Sequence, residues 1–357
     1  MKQKIHNFNS GPAILSEEVF QEASRAVLNF NNSGLSILEI GHRTPAFIDV
    51  LQEARQLVKE LMNLNDEYEV LFLHGGASTQ FFQIPMNLLD RFETAAYTDT
   101  GVFAAKAIKE AKLFGNINVV CSSADKNYNY LPKDFIVPDD AKYLHITSNN
   151  TIYGTQWKVF PDANIPIVAD MSSDILSREI DYNKFDLIYA GAQKNLGCAG
   201  VTIVVVKKNI LGKVERDIPT MMDYRMHIKE NSLLNTAPVF AIYVAYLNLK
   251  WLKNTGGVKQ KEILNRKKSE LIYAEIDRNK MFTGTTEIED RSMMNACFVA
   301  KDEKTEKSFL EYCKEKNIYG IKGHRLAGGF RASMYNALPL ESVEYLVRVM
   351  QDFESLS

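Results

Sequence analysis

DLIYAGAQKNLGCAGVTIVVV (186–206) is the stretch whose reading decides the fold. It holds two runs, DLIYA (186–190) and VTIVVV (201–206), that are too short and too apolar for surface helices and read as buried strands. Five earlier runs read the same way: VLFLH (70–74), TAAYT (94–98), INVVC (117–121), KYLHI (142–146) and PIVA (166–169). Longer amphipathic stretches separate them, which is the alternation of an α/β domain with a largely parallel sheet. The expectation is therefore a buried, seven-stranded, mostly parallel sheet. Ahead of it, Phe47, Val50, Leu51, Ala54, Leu57, Val58 and Leu61 form one helical stripe, which reads as core.

After residue 206 the alternation lapses. NTAPVFAIYVAYLNLKWLK (235–253) predicts a long helix with Thr236 as its cap and Pro238 in its first turn, ended by the break Asn254-Thr255-Gly256-Gly257. Beyond it come helical stretches, strands within MMNACFVA (293–300) and near GGFRAS (328–333), and a final helix striped by Val343, Leu346, Val347, Met350 and Phe353. This is a second, smaller α+β domain. A chain of 357 residues is long enough for both.

Composition excludes several classes of function. With 42 Lys and Arg against 44 Asp and Glu, the net charge is -2, so no overall basic field exists to hold nucleic acid or an anionic membrane. Any anion must be held locally. Cys121, Cys198, Cys297 and Cys313 are widely spaced, with neither a disulfide framework nor zinc-ligand spacing, so no metal is expected and a reducing cytoplasm fits. The N-terminus has no apolar core of signal-peptide length, and no run of about 18 apolar residues occurs, so a soluble, unexported protein is expected.

Ligands of open α/β sheets collect beyond the carboxyl ends of the strands. There His74-Gly75-Gly76-Ala77-Ser78-Thr79-Gln80 follows a strand and opens a helix, offering free N–H groups and a positive dipole end to a phosphate. It has neither the Lys of a P-loop nor GxGxxG, which demotes ATP and NAD. Asp170 closes PIVA, and Lys194 lies just beyond DLIYA among small residues. A lysine desolvated there favours the neutral amine that a Schiff base needs, and a carboxylate nearby can pair with a protonated pyridine nitrogen. Together with a phosphate cradle they make the usual provision for pyridoxal 5′-phosphate. Taken singly, each has a plainer reading: a solvated surface lysine, a carboxylate capping the MSSD segment, an ordinary strand-to-helix turn. The basic groups His42-Arg43, His324-Arg325 and Arg331 could hold a small dianionic or trianionic substrate, although each His-Arg pair alone reads as surface charge.

These residues sit in segments that resemble the phosphoserine aminotransferases, fold-type I enzymes of class V dependent on pyridoxal phosphate. The resemblance runs through NFNSGPAIL (7–15), EIGHR (39–43), LHGGASTQF (73–81), TSNNTIYGTQ (147–156), VADMSSDILSR (168–178), IYAGAQKNLGCAGVTIV (188–204), SLLNTAPVFAIY (232–243) and IKGHRLAGGFRASMYNALP (321–339). It implies that Lys194 is the Schiff-base lysine and Asp170 the partner of the pyridine nitrogen. Thr151 and Gln193 would contact the ring hydroxyl side or the phosphate, Ala77 and Ser78 the phosphate, and Phe103 would stack on the ring where many members carry Trp. Asn235 and Thr236 would complete the phosphate site of the other subunit, making a homodimer. Arg331 would take the substrate α-carboxylate, with His42, Arg43, His324 and Arg325 around the substrate phosphate. Some members carry Arg where this chain has Ser78, which leaves fewer cations for that phosphate.

The resemblance further implies a large cofactor domain over 16–254 and a small domain from 1–15 and 255–357. The implied reaction is reversible amino transfer between glutamate and 3-phosphohydroxypyruvate, giving O-phosphoserine and 2-oxoglutarate, in serine biosynthesis, with 4-phosphohydroxythreonine of vitamin B6 synthesis as a possible second substrate. Competing readings are an alanine-glyoxylate type aminotransferase, which needs no His-Arg pairs, and a non-catalytic binding protein on the same scaffold, against which the lysine is intact. A cysteine desulfurase would need a mobile nucleophilic Cys, and Cys313 falls in a helical stretch.

Overall fold

A computed structural model describes residues 4–356. Each of the seven apolar runs forms a strand. β1 (His6–Asn7), α1 (Glu17–Leu28) and α2 (Pro45–Leu61) precede the alternating region. That region comprises β2 (Tyr68–Leu73), α3 (Gly76–Leu88), β3 (Thr94–Asp99), α4 (Val102–Ala111), β4 (Asn116–Ser122), β5 (Leu144–Thr147), β6 (Ile167–Asp170), β7 (Leu187–Gly191) and β8 (Thr202–Lys207). The sheet order is β2-β8-β7-β6-β5-β3-β4, with β8 antiparallel to both neighbours and every other pairing parallel. All residues of β5, β6 and β7 are buried, because helices cover both faces of a sheet built by crossover connections. The expectation of a wholly buried sheet fails at β4, which is exposed over much of its length. It is one of the two edge strands, paired only to β3, and unlike β2 at the opposite edge, which is almost wholly buried, it is not covered.

One consequence of the topology positions the site. Leu73 and Gly191 both pair with Thr202 on β8, and Thr147 pairs with Asp170, so the ends of β2, β5, β6 and β7 lie along one edge. The segments leaving that edge carry His74, Thr151, Asp170 and Lys194.

The remainder contains α5 (Tyr224–Lys229), α6 (Val239–Asn254), α7 (Gly257–Arg278), β9 (Phe282–Gly284), β10 (Asn295–Ala300), α8 (Glu303–Glu315), β11 (Ile318–Tyr319), β12 (Phe330–Ser333) and α9 (Leu340–Leu356). The expected cap at Thr236 is not made. α6 begins at Val239 with Pro238 in the cap position and no side-chain capping bond. Proline disfavours helical angles in the residue before it, so the helix starts after Pro238 and Thr236 stays outside. α7 starts at the predicted glycine break. β12, β10 and β9 form an antiparallel sheet over a separate core that includes Phe282, Phe298, Phe309, Phe330 and Phe353. β1 pairs with β11, and Phe8 joins this second core. On that packing we propose the division at 254/255, with the N-terminal segment assigned to the smaller unit; residues 1–3 of that segment lie outside the described residues.

Candidate active site

The glycine turn after β2 has the form its sequence predicts. Gly75 takes φ +94°, and a Cβ there would stand 1.8 Å from Thr79 Oγ1, so no other residue fits without rebuilding the turn. Gly75 caps α3 without a side-chain bond, which leaves the first-turn N–H groups of Gly76, Ala77 and Ser78 open to an anion. Ser78 is exposed and Ala77 half-buried.

Lys194 leaves the end of β7 with its stem under the N-terminal segment. A Cβ on Gly11 would come within 3.2 Å of Lys194 Cγ, and Ala13 N donates to Gln193 O at 2.9 Å. The Lys194 ammonium donates to Thr151 Oγ1 at 2.7 Å and lies 5.1 Å from the centre of the Phe103 ring. Burial pushes it down to about 8, against the attraction of Asp170, yet part of the side chain stays open to the cleft. Asp170 is buried, and burial pushes its carboxyl up while Ser172, Lys194 and Tyr189 pull it down. Ser172 N donates to Asp170 Oδ1 at 2.9 Å, so this side chain also holds a local turn, but MSSD forms turns and not the helix whose cap the plainer reading expected. A reactive amine and a carboxylate of opposed environments thus share one cleft.

The small unit supplies Arg331 from β12. It is buried, with Nη1 donating to Thr151 O at 3.1 Å and Nη2 to Ser10 Oγ at 2.6 Å, while Nε has no partner. Arg331 and Lys194 therefore meet at Thr151. His324 is half-buried in the loop before β12, and burial, then Arg331 and Arg325, pushes its imidazole down. Arg325 is exposed. Arg43 is also exposed, and its Nη2 reaches Leu233 O at 3.5 Å. His42 Nε2 is buried without a partner. Asn235 lines a cavity of about 140 Å³ with Leu73, His74, Gly75 and Thr79, and Thr236 O accepts from His74 Nε2 at 3.0 Å. Within one chain, then, these two residues adjoin that chain's own glycine turn.

Residues 5–346 match the class-V aminotransferase family. A phosphoserine aminotransferase of Flavobacterium psychrophilum is 55% identical over 353 residues, 99% of each chain. The chain belongs to the phosphoserine aminotransferase family. The phosphoserine aminotransferase of Bacillus circulans subsp. alkalophilus superposes with a TM-score of 0.96 at 45% identity, covering 99% of both chains. A PLP-bound member from Trichomonas vaginalis gives 0.93 at 35% identity, covering 98% of this chain and 100% of that one.

The donor set in this family member fits a pyridoxal phosphate: an uncapped helix N-terminus for the phosphate, an aromatic face in Phe103, the Asp170 carboxylate, and a desolvated lysine. Thr147 Oγ1, beside Asp170 in register, Thr100 Oγ1, just past β3, and Arg331 Nε are buried with no partner among the described residues. Three contributors were not read from the sequence. Ser10 holds Arg331; Asn150 Nδ2 ties this segment to Thr100 O at 2.8 Å; and Asp174 accepts from Gln156 Nε2 at 3.0 Å and from Ser148 Oγ. All three lie in segments that carry the resemblance, but only the pairing of distant strands shows what they touch.

Proposed function

We propose that this phosphoserine aminotransferase family member transfers an amino group reversibly between glutamate and 3-phosphohydroxypyruvate, giving O-phosphoserine and 2-oxoglutarate, as a step of serine biosynthesis. The observation that carries the reading is Lys194, whose desolvated Nζ sits between Thr151 and Phe103 in the same cleft as buried Asp170 and Arg331. When bound, pyridoxal phosphate supplies an aldehyde that bonds to amines and a ring that accepts the electrons released at the substrate α-carbon. Lys194 Nζ would bind that aldehyde and move the proton at the α-carbon. Asp170 would hold the proton on the ring nitrogen, because a buried carboxylate has no better cation nearby once Lys194 is neutral. Phe103 would cover one ring face, Thr151 and Gln193 would orient the ring, and Ala77 and Ser78 would hold the cofactor phosphate.

Arg331 would fork onto the substrate α-carboxylate, a geometry suited to its planar guanidinium. His42, Arg43, His324 and Arg325 would surround the substrate phosphate. The family resemblance assigns Asn235 and Thr236 to the phosphate site of a second subunit, although within one chain they adjoin that chain's own glycine turn, so the proposed working form is a cytoplasmic homodimer. 4-Phosphohydroxythreonine, with the same phosphate and α-carboxylate arrangement, is the second substrate to try.

The test is direct. Adding pyridoxal 5′-phosphate to the apoprotein should give a visible absorbance band that collapses on adding phosphoserine and not on adding alanine. A band unmoved by phosphoserine would remove the substrate assignment.

A further inference from the structure

Behind Asp170 lies a row of buried polar rings that the proposed chemistry does not use. Asp170 and Tyr189 are register partners on the parallel strands β6 and β7, so their side chains leave the same face of the sheet side by side. His145, two residues before the Thr147 that pairs with Asp170, presents Nε2 to the Tyr189 hydroxyl at 2.9 Å. Tyr97 on β3 stacks against the imidazole with ring centres 4.7 Å apart and 15° between planes. All of these side chains are buried.

The protons in this row can be placed. Burial pushes His145 down to about 3, so the ring is neutral and carries one N–H. Nδ1 makes no well-formed hydrogen bond, its one nearby acceptor being the carbonyl of His145 itself, so we place the proton on Nε2, where the Tyr189 oxygen accepts it in good geometry. Nε2–H then donates to the Tyr189 oxygen. The Tyr189 O–H is left to donate elsewhere, and Asp170 is the acceptor beside it. Consistently, the Tyr189 hydroxyl bond opposes the upward push of burial on the Asp170 carboxyl. Beside Asp170, the ionisable groups that act most on Tyr189 are Tyr97 and Tyr224, both uncharged phenols.

We propose that Tyr189 is a positioning residue: its hydroxyl, oriented by His145, donates a hydrogen bond to the rear of the Asp170 carboxylate and keeps it ionised and aimed into the cleft. The inference rests on the function proposed above, since it gives Asp170 a cofactor nitrogen to serve. It assigns a purpose to a histidine that never meets solvent or substrate.

The experiment measures the dissociation constant of pyridoxal 5′-phosphate added to the apoprotein, read by absorbance, for the wild type, Y189F, H145Q, H145L, D170N and Y189F/D170N. A hydrogen bond to a charged group is worth roughly tenfold or more in affinity, so Y189F should bind about tenfold more weakly. H145L, which leaves the hydroxyl unoriented, should follow Y189F. H145Q keeps an N–H donor at similar reach and should stay within about twofold of the wild type. In the D170N background, where no carboxylate remains, Y189F should cost less than about twofold, because coupled residues do not add. Y189F deletes one oxygen from a buried ring; if it fails to fold, the H145Q and H145L pair decides alone. Wild-type binding with Y189F unchanged, an equal Y189F loss with and without Asp170, or H145Q as impaired as H145L would each overturn the inference. A wild type that binds no pyridoxal phosphate would instead overturn the functional reading, and this inference with it.

Discussion

The two proposed ends of the cleft, one for the chemistry and one for the substrate phosphate, differ in how far the chain has built them. At one end Lys194, Asp170 and Arg331 are held by Thr151, Ser172 and Ser10 through bonds of 2.6–3.1 Å, buried or nearly so before any ligand arrives. At the end proposed for the substrate phosphate, Arg43 and Arg325 stand exposed, and the His42 ring nitrogen is left unsatisfied. The difference follows from chemistry. An amine and a carboxylate must be desolvated and aimed before they can react, and folding can do that only with fixed neighbours. Cations that read a phosphate gain by staying hydrated until it comes, since a buried unpaired guanidinium is costly. We therefore expect changes at the built end to cost far more than changes at the open end.

The largest effect tests the built end directly. Lys194→Ala should lower kcat by at least about 10²–10³-fold, the range lost with a general acid–base group, while thermal unfolding stays near wild type. Single-turnover measurements without added amine check it. A variant retaining a tenth of the rate would mean that the amine is not the proton carrier, and the contrast between the two ends would lose its basis.

Arg331→Ala comes next. Losing a charge-assisted fork should reduce kcat/KM by roughly 10- to 100-fold for every amino donor, glutamate and alanine included, because all share the α-carboxylate. Steady-state kinetics with several donors would show it. A loss confined to phosphorylated donors would move Arg331 to the open end of the cleft.

How much of this was legible in the sequence divides along the same line. Strands such as DLIYA and PIVA announce themselves because both faces are covered, so the apolar run is continuous, and the reactive residues follow as the polar letters just beyond. INVVC has the same letters yet lies at an exposed edge, since strand order is a long-range property that composition does not carry. Thr236 looks like a helix cap in sequence, but Pro238 and the bond from His74 decide its backbone. Tyr189 and His145 read as one apolar letter and one ordinary histidine. They become a pair only through the register of β5, β6 and β7.

At the open end the expected losses are smaller and selective. Arg43→Ala and Arg325→Ala should each lower kcat/KM for phosphoserine by about tenfold, the value of one charge-assisted contact in a partly solvated site, and change activity toward alanine by less than about twofold. Glutamate is a poor control, since its side-chain carboxylate can borrow the phosphate site. Equal losses for phosphoserine and alanine would show that neither arginine reads the phosphate, and the open end would then be ordinary surface.

The smallest effect comes from the built end without its ligand. Burial holds Lys194 at about 8 in the folded chain against an ordinary 10.5, so the burial penalty is in full force at pH below about 8, where both states carry the proton. Between about 8 and 10.5 the unfolded chain still holds a proton that the folded chain has lost, so stability from this group rises with pH, and above 10.5 it is level. Lys158, Lys261 and Lys268 are pushed down by burial too, so the apoprotein's own pH curve mixes four lysines. The difference between wild type and Lys194→Met isolates one, because the other three are common to both. Wild-type apoprotein should gain on Lys194→Met as pH rises through that window, by a few degrees in Tm at most, since the side chain keeps partial access to solvent. Thermal melts of both apoproteins at pH 7, 8, 9 and about 10 would trace it. A flat difference would mean that Lys194 is solvated like Arg43 and Arg325, and that the two ends of the cleft are alike until the cofactor binds.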